Sequence, residues 1–199
     1  MPDIQLISQI IPDLFRMEGR SEGMHVSHII NDLCVQMKYH SPREEGEFPD
    51  HVKVRMSLGN ALETAIIRRY TEDEPGRWVQ PGEMSCDGIF GTPDLLDVDE
   101  FVVHELKLTW MKWNGDIHSK KYWKYWVQLK SYCWMMETLR GDLQVGFVNG
   151  DYSDMSPEFF HWRGTFTKQE LQNNWLMLVN HGKALQEAEG GKKKKGKRR

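Results

Sequence analysis

The sequence predicts a mixed α/β domain with one central sheet flanked by helices. Three observations indicate this class: an apolar repeat of helical period over residues 54–70, short apolar runs broken by Gly and Pro over 78–108, and a second helical stretch over 119–139 that leads into a further strand. Because the two periodicities succeed each other along the chain, we expect helices packed on a sheet. The 199 residues are enough for one domain with a full hydrophobic core.

The first helices are predicted from apolar spacing. Residues 26–39 and 54–70 place apolar side chains at intervals of three and four. In the second of these helices the apolar stripe consists of Leu58, Ala61, Leu62, Ala65 and Ile66. The polar segment 41–49 between the two helices is predicted to be a loop.

Strands and two further helices follow. Runs bounded by turn residues indicate strands at 78–80, 85–91, 95–98, 101–108, 143–148 and 159–166. A helix rich in aromatic residues is predicted over 119–139. Thr167 and Glu170 form a capping box, T-x-x-E, which opens a last helix through about residue 188.

Composition excludes several classes of protein. The hydrophobic fraction of 39% is ordinary for a folded chain, which argues against disorder. No apolar run reaches the roughly 18 residues of a membrane span, and the N-terminus lacks the basic start and apolar core of a secretory signal. The three cysteines, Cys34, Cys86 and Cys133, are odd in number and far apart, which fits a reducing cytosol. We therefore expect a cytoplasmic protein without a membrane partner.

Charge is distributed unevenly along the chain. The net charge of −3 comes from 26 basic and 29 acidic residues, but seven of the basic ones lie in the final eight residues, KKKKGKRR. An acidic body thus ends in a basic tail, which we expect to be disordered because its like charges repel. Such a tail suits the phosphate backbone of nucleic acid; a solubility tail or a nuclear-localisation-like run are the alternatives.

Charged residues interrupt one of the otherwise apolar strands. Glu105 and Lys107 lie two positions apart, so their side chains point to one face, whereas His104 points to the other and is expected to serve in packing. Burying a carboxylate or an amine is costly unless it has a partner. Asp94 precedes this strand by a predicted turn, and a hairpin would bring it beside Glu105. A divalent cation shared by the two carboxylates would offset the cost.

This constellation suits phosphodiester hydrolysis. A bound metal lowers the pKa of its water and polarises a phosphoryl oxygen, and an adjacent ammonium offsets the charge that develops on phosphorus. The alternative for Glu105 and Lys107 is a structural ion pair, with Asp94 as an ordinary turn residue after proline.

Together these segments resemble the PD-(D/E)XK nuclease superfamily. Residues 93–94 (PD) match its first catalytic element and 105–107 (ELK) its E-x-K element, and its αβββαβ, restriction-endonuclease-like core agrees with the order predicted over 54–148. Residues 59–63 (GNALE) resemble the helical motif that supplies an extra acidic ligand. Residues 128–132 (QLKSY) resemble the Q-x-x-x-Y motif of the RecB-type and lambda-exonuclease-like branch.

The resemblance implies a Mg²⁺- or Mn²⁺-dependent deoxyribonuclease. The implied metal ligands are Glu63, Asp94, Glu105 and the backbone carbonyl of Leu106. Lys107 would orient or help to deprotonate the attacking water, while Gln128 and Tyr132 would position the DNA strand near the scissile phosphate. The Q-x-x-x-Y branch favours an exonuclease of DNA recombination, repair or replication, phage-encoded by analogy, and leaves a homo-oligomer and recombination or replication partners open.

Further DNA contacts are predicted from residue type. Lys121, Tyr125, Gln128 and Tyr132 share one helix face, with Lys124 at its edge, and such a face suits phosphate and base contact. The opposite side is expected to pack into the core and consists of Trp123, Trp126, Cys133 and Trp134. The tail would add sequence-independent contacts through Lys192, Lys193, Lys194, Lys195, Lys197, Arg198 and Arg199.

Where the sequence departs from the family pattern, it excludes some of the cofactors that other members carry. Glu63 stands where some RecB-type relatives carry a histidine ligand, so none is expected there. No cysteine follows Cys133 and there is no Walker A pattern, so neither an iron–sulfur cluster nor a nucleotide cofactor is expected. Trp110 and Trp113 stay open between base stacking and loop anchoring. The alternatives to an exonuclease are a structure-specific endonuclease for junctions or flaps and a non-catalytic DNA-binding module.

The expected domain organisation follows from these assignments. Residues 1–53 would form a helical segment packed on the core, and residues 54–188 the nuclease core with its C-terminal strand and helix. Residues 189–199 would form the disordered basic tail.

Overall fold

The computed structural model describes residues 21–39, 50–148 and 157–196, so the predicted loop 41–49 lies outside the described residues. In chain order the elements are β1 (Met24–His25), α1 (Val26–Gln36), α2 (Asp50–Asp73), β2 (Trp78–Val79), β3 (Met84–Cys86), β4 (Ile89–Gly91), β5 (Leu95–Asp97), β6 (Val102–Thr109), a 3₁₀ turn (Lys120–Tyr122), α3 (Trp123–Met135), β7 (Arg140–Phe147), β8 (Glu158–Thr165) and α4 (Lys168–Gly196). The predicted boundary at residue 54 therefore falls inside α2.

The predicted mixed α/β fold with a central mixed sheet is confirmed. Five strands form this sheet in the order β2-β5-β6-β7-β8. β6 and β7 run parallel with α3 as their crossover, and the other neighbours are antiparallel. The single strand predicted over 85–91 is instead the hairpin β3-β4 of a smaller sheet, because Asp87 and Gly88 turn the chain with φ of 49° and 75°.

Helices cover both faces of the main sheet. α3 packs on one face together with α1 and α4, and this side holds the larger core around Leu129, Leu143 and Trp175. α2 packs on the other face over a smaller core, which consists of Ile67, Trp78, Leu95 and Leu106.

 Successive side chains of a strand point to opposite faces of the sheet. Odd-numbered residues of β6, such as Val103, therefore face α3, and even-numbered ones, such as Leu106, face α2.

The buried face of α2 differs from the predicted stripe. Leu58 is 47% exposed, and Ala61 and Ala65 are also exposed, whereas Ile67 is buried at 6%. The prediction was wrong because the two adjacent isoleucines, Ile66 and Ile67, are compatible with more than one helical face. In the structure, α2 is rotated so that Ile67 packs on Leu95 and Leu106.

The last helix begins as predicted and ends later. Thr167 and Glu170 form the capping box: the Thr167 amide donates to Glu170 Oε2 at 2.8 Å, and the Glu170 amide donates to Thr167 Oγ1 at 3.2 Å. α4 continues to Gly196, so the backbone of residues 189–196 is helical rather than disordered as predicted. Lysine is a good helix former, and the glycines at 190 and 191 do not end the helix. Among the described helices, none combines the length and the apolar character needed to cross a bilayer.

Candidate active site

The hairpin of β5 and β6 brings the predicted carboxylates together. Leu95 pairs with His104, so Asp94 stands just outside β5, beside the part of β6 that continues past its partner. There the Leu106 amide donates a hydrogen bond to Asp94 Oδ2 at 2.7 Å. Because a strand residue points its N–H and C=O to the same edge, the Leu106 carbonyl also points to this edge of β6.

The turn of this hairpin is held by Asp97. Its Oδ1 accepts hydrogen bonds from the backbone amides of Asp99 and Glu100, both at 3.1 Å. Its Oδ2 accepts two from Arg77, at 3.1 Å from Nε and 2.8 Å from a terminal nitrogen. Burial would raise the pKa of Asp97, but Arg77 and the two amides hold this pKa below its ordinary value. Asp97 is therefore ionised, and its four hydrogen bonds hold the turn that determines where Asp94 meets β6.

Four predicted side chains meet beside this turn, and they are Glu63 of α2, Asp94, and Glu105 and Lys107 of β6. The Asp94 carboxyl lies next to those of Glu63 and Glu105, so it links the other two. Lys107 Nζ forms an ion pair with Glu105 Oε1. The hairpin and the helical motif thus converge as the sequence predicted.

Burial and mutual repulsion dominate the electrostatics of this cluster. Burial raises the pKa of Glu105 well above 4.5, and the charge of Asp94 adds to the shift. Burial also raises the pKa of Asp94, against the opposing effect of Lys107. Burial alone would lower the pKa of Lys107, but the carboxylates of Glu105, Asp94 and Glu63 outweigh it and raise this pKa. Three carboxyl groups thus face one ammonium, so a further positive charge would stabilise the cluster.

The surroundings of Glu105 indicate whether a metal ion fits this cluster. Its side chain is 0% exposed, and within the described part of the chain neither of its oxygens accepts a hydrogen bond of acceptable geometry. A buried carboxylate is costly unless it is well paired, and Glu105 shares the ammonium of Lys107 with Asp94 and Glu63. A hard divalent cation would satisfy these oxygens, and carboxylates with a backbone carbonyl are the ligands that Mg²⁺ and Mn²⁺ prefer. The residues present therefore fit such an ion.

Gln128 and Tyr132 lie against the same cluster from α3. Gln128 Nε2 donates a hydrogen bond to the Tyr132 hydroxyl at 3.0 Å. Burial raises the pKa of Tyr132, and the nearby charge of Glu105 raises it further, so the hydroxyl stays protonated. Gly91 permits this packing, since a Cβ there would lie 2.8 Å from Tyr132 Cε1. Tyr132 is thus placed beside the carboxylates, with only 4% of it exposed, and Gln128 is linked to them through its hydroxyl.

The other residues predicted to contact DNA separate into different environments. Lys121 is exposed in the 3₁₀ turn, and Lys124 Nζ lies 5.3 Å from the ring centre of Tyr125. Tyr125 is only 6% exposed and its hydroxyl is hydrogen-bonded to Thr109, so it packs in the core and offers little surface to DNA. The reason is that α3 is covered on two sides, by the sheet and by α4. Residues 192–195 lie on the helical backbone of α4, and residues 197–199 lie outside the described part.

The aromatic residues after β6 have separate surroundings. Trp113 packs on four rings, at centroid distances of 5.0 to 5.7 Å, which belong to Tyr122, Phe147, Phe160 and Trp162. It therefore anchors its loop. Trp110 is 36% exposed and borders a groove beside the carboxylates.

This groove gives the cluster an open side. It has a volume of about 420 Å³ and includes Glu63, Lys107, Trp110 and Arg55 in its lining. Arg55 is exposed and was not predicted as a site residue. Its signal in the sequence is the spacing of i, i+4 and i+8 that places it with Gly59 and Glu63 along one side of α2. A cation and an exposed aromatic ring thus flank the route to the carboxylates.

A second polar cluster lies on the opposite face of the sheet. His104 is buried at 2%, next to the fully buried Asp142, and its ring centre lies 4.9 Å from that of Trp78. Burial lowers the pKa of His104 to about 4, so its ring is neutral. Asp142 also contacts His161 and Arg163 of β8. The predicted packing role of His104 therefore accounts for only part of its surroundings.

Known proteins resemble this chain in fold but show no match at the level of sequence families. No family model and no curated protein matches the chain. Among solved structures, a phage-related exonuclease from Haemophilus somnus 129PT is 12% identical, over 79% of this chain and 78% of its own, with a TM-score of 0.50. The alkaline exonuclease LHK-Exo from Laribacter hongkongensis is 16% identical, over 89% and 95%, with a TM-score of 0.50. Its complex with dAMP gives 17% identity over the same shares and a TM-score of 0.54.

These neighbours define a class by fold. At such low identity the likeness shows the fold alone, and that fold is one that exonucleases use. The chain therefore shares its fold with these exonucleases, and it has a cluster of acidic residues and a lysine at the hairpin of its central sheet.

Proposed function

We propose that the chain is a Mg²⁺- or Mn²⁺-dependent DNA nuclease that removes nucleotides from DNA ends. The observation that carries the proposal is the fully buried Glu105 carboxylate, which has no hydrogen-bond donor of acceptable geometry and lies beside Asp94 and Lys107. A packing role would not explain a charge in this position. Two of the solved proteins that share the fold are exonucleases, and one of them was solved with dAMP, which supports DNA as the substrate.

Asp94, Glu105 and the Leu106 carbonyl would hold the metal, with Glu63 completing the set. When bound, the ion supplies a water of lowered pKa and polarises a phosphoryl oxygen. Asp94 is oriented for this by the Leu106 amide, and Glu105 by its position on the central strand. The protein thus fixes the ligands before the ion arrives, which favours binding.

Lys107 and the α3 residues would act on the substrate. The Lys107 side chain keeps 21% of its surface exposed towards the groove, so its ammonium can hydrogen-bond the attacking water and offset negative charge on phosphorus. Gln128 would help to position the strand, with the buried Tyr132 holding its amide through their hydrogen bond, and Arg55 would contact a phosphate at the entrance. Lys121, Lys124 and the basic tail would add sequence-independent affinity.

The test is cleavage of linear, circular, single-stranded and double-stranded DNA with Mg²⁺, with Mn²⁺ and with EDTA. We expect metal-dependent release of mononucleotides from linear DNA by the wild type, and a loss of at least about a hundredfold for Lys107→Ala. Lys183→Ala, which removes an exposed lysine of α4, is the matched control and should keep full activity. Cleavage of circular DNA would replace the exonuclease by an endonuclease for junctions or flaps. No cleavage under any condition would leave only the non-catalytic DNA-binding module.

The biological setting stays a prediction from the sequence. It includes a role in DNA recombination, repair or replication in the cytoplasm of a bacterial or phage-infected cell. A homo-oligomer and recombination or replication partners belong to the same prediction, and size measurement with and without DNA would test the first of them.

A further inference from the structure

Three side chains from three neighbouring strands meet on the face of the sheet opposite the carboxylates. In the register of the sheet, His104 pairs with Asp142, and Gln144 pairs with His161. Because side chains alternate along a strand, His104 points away from Glu105, towards the side on which α2 packs. One ligand atom from each of His104, Asp142 and His161 lies within 4.8 Å of the other two.

The distances within this trio centre on one oxygen. His161 Nε2 lies 2.7 Å from Asp142 Oδ2, and His104 Nε2 lies 3.9 Å from the same atom. Ligand atoms about 2.0 Å from a tetrahedral Zn²⁺ lie roughly 3.3 Å apart, which falls between these two distances. The two histidine nitrogens lie within 4.8 Å of each other, so a movement of up to about 1.5 Å, shared between the two rings, would place all three atoms around a common ion.

An independent observation comes from His104. Its Nε2 is buried and makes no hydrogen bond among the described residues, although its neighbours are strongly polar. A buried ring nitrogen without a partner is costly and needs an explanation. A cation between the two histidines and Asp142 would supply the missing partner.

We propose that His104, Asp142 and His161 form a binding site for Zn²⁺ or a similar transition-metal ion. Two imidazole nitrogens and one carboxylate oxygen suit such an ion better than Mg²⁺, which prefers oxygen ligands. The fourth position is left for water, because His161 is about half exposed and opens the site to solvent. This site is separate from the carboxylate cluster around Glu105 and would hold a different class of metal.

A supporting residue can orient the buried ligand. Gln144 Nε2 lies 3.3 Å from His104 Nδ1, and Gln144 Oε1 accepts a hydrogen bond from the Tyr70 hydroxyl at 3.2 Å. Turning this amide over would place its oxygen at His104 Nδ1, so that Nδ1–H donates and Nε2 presents its lone pair to the ion. Such an outer partner is what metal-bound histidines usually have.

Arg163 is the competing partner of Asp142. It donates to Oδ1 at 2.9 Å and to Oδ2 at 3.0 Å, and it also forms an ion pair with Glu100 at 3.1 Å. A cation on Oδ2 would displace the second of these bonds and leave the other two contacts in place. Arg163 therefore weakens the affinity for the ion without closing the site. Occupation would cross-link β6, β7 and the edge strand β8.

The test measures binding of Zn²⁺ by calorimetry and of Co²⁺ by its visible absorption. To remove the carboxylate site, both are measured in an Asp94→Asn/Glu105→Gln variant. We expect one equivalent of Zn²⁺ with a tetrahedral Co²⁺ spectrum, and a loss of affinity of at least about tenfold when His161→Ala is added. His28→Ala, which removes an exposed histidine of α1, is the control and should bind as tightly as its parent.

Two results would overturn the proposal. One is the absence of saturable Zn²⁺ binding in the carboxylate-deficient variant, and the other is equal affinity with and without His161. If that variant does not fold by circular dichroism, the wild type in excess Mg²⁺ gives the same comparison, since Mg²⁺ then occupies the carboxylates. A rise in the melting temperature on adding Zn²⁺, present in the wild type and lost in His161→Ala, provides a second readout. Because neither readout involves DNA cleavage, this proposal and the nuclease proposal can fail separately.

Discussion

Replacing Glu105 by glutamine should abolish DNA cleavage and at the same time stabilise the metal-free protein. Glu105→Gln keeps the size of the side chain and removes a charge that is 0% exposed and whose oxygens make no hydrogen bond of acceptable geometry among the described residues. It also removes the repulsion from Asp94. Lys107 loses one ion-pair partner but keeps the favourable charges of Asp94 and Glu63. We expect a gain of about 1–2 kcal/mol in the free energy of unfolding in EDTA.

The assay is urea unfolding and thermal melting in EDTA. A gain of about 1–2 kcal/mol corresponds to a rise in melting temperature of roughly 2–8 °C for a chain of this size. Divalent metal should stabilise the wild type and leave Glu105→Gln almost unchanged, which would reverse the order of the two proteins at high Mg²⁺. Glu187→Gln, an exposed change on α4, is the control and should alter stability by less than about 0.5 kcal/mol.

The stability of the metal-free wild type should fall as pH rises. Burial raises the pKa of Glu105 in the folded state above its ordinary value of 4.5, so the folded protein binds a proton that the unfolded chain has released. The wild type therefore loses stability as pH rises from about 4.5 through the raised pKa. The advantage of Glu105→Gln should be largest above that pKa and should shrink as pH falls. A variant less stable than the wild type at neutral pH in EDTA would refute the reasoning, because it would show a well-paired structural carboxylate.

Three further changes test how the site is held and how DNA reaches it. Gly91→Ala would place a Cβ 2.8 Å from Tyr132 Cε1, so we expect a loss of about 1–3 kcal/mol in stability and a lower kcat; a variant with full activity would contradict the packing argument. Arg55→Ala should raise KM for DNA and reduce the salt dependence of binding by about one phosphate contact, while the fold is unchanged. Deleting residues 192–199 should weaken DNA binding and flatten its dependence on salt; an unchanged slope in a binding titration would reject a role for the tail.

The parts of the site that the sequence predicted are those that local rules determine. The two-residue alternation of a strand places Glu105 and Lys107 on one face, and a hairpin brings Asp94 beside them. The buried face of α2 could not be predicted in the same way, since Ile66 and Ile67 allow different rotations and only packing on Leu106 decides between them.

The second cluster was beyond sequence reasoning for a different reason. His104, Asp142 and His161 lie on three strands, and only the pairing of β6 with β7 and of β7 with β8 brings them together. β6 and β7 are parallel and are joined by a crossover through α3, so their pairing depends on the whole sheet and is not determined by a local sequence pattern. The burial of Tyr125 is a similar case, because it depends on which helices cover α3.

Proline at position 93 gives a physical reason for the position of Asp94 in the candidate site. In the register of the hairpin, Leu95 pairs with His104, so an extended β5 would set Pro93 opposite Leu106. Proline has no N–H to donate to the Leu106 carbonyl, and pairing therefore stops before that residue. The free edge that results is where the Leu106 amide meets the Asp94 carboxylate, and where the Leu106 carbonyl stays available to a cation. The end of a short strand thus creates the site, and the acidic residue directly after the proline fills it.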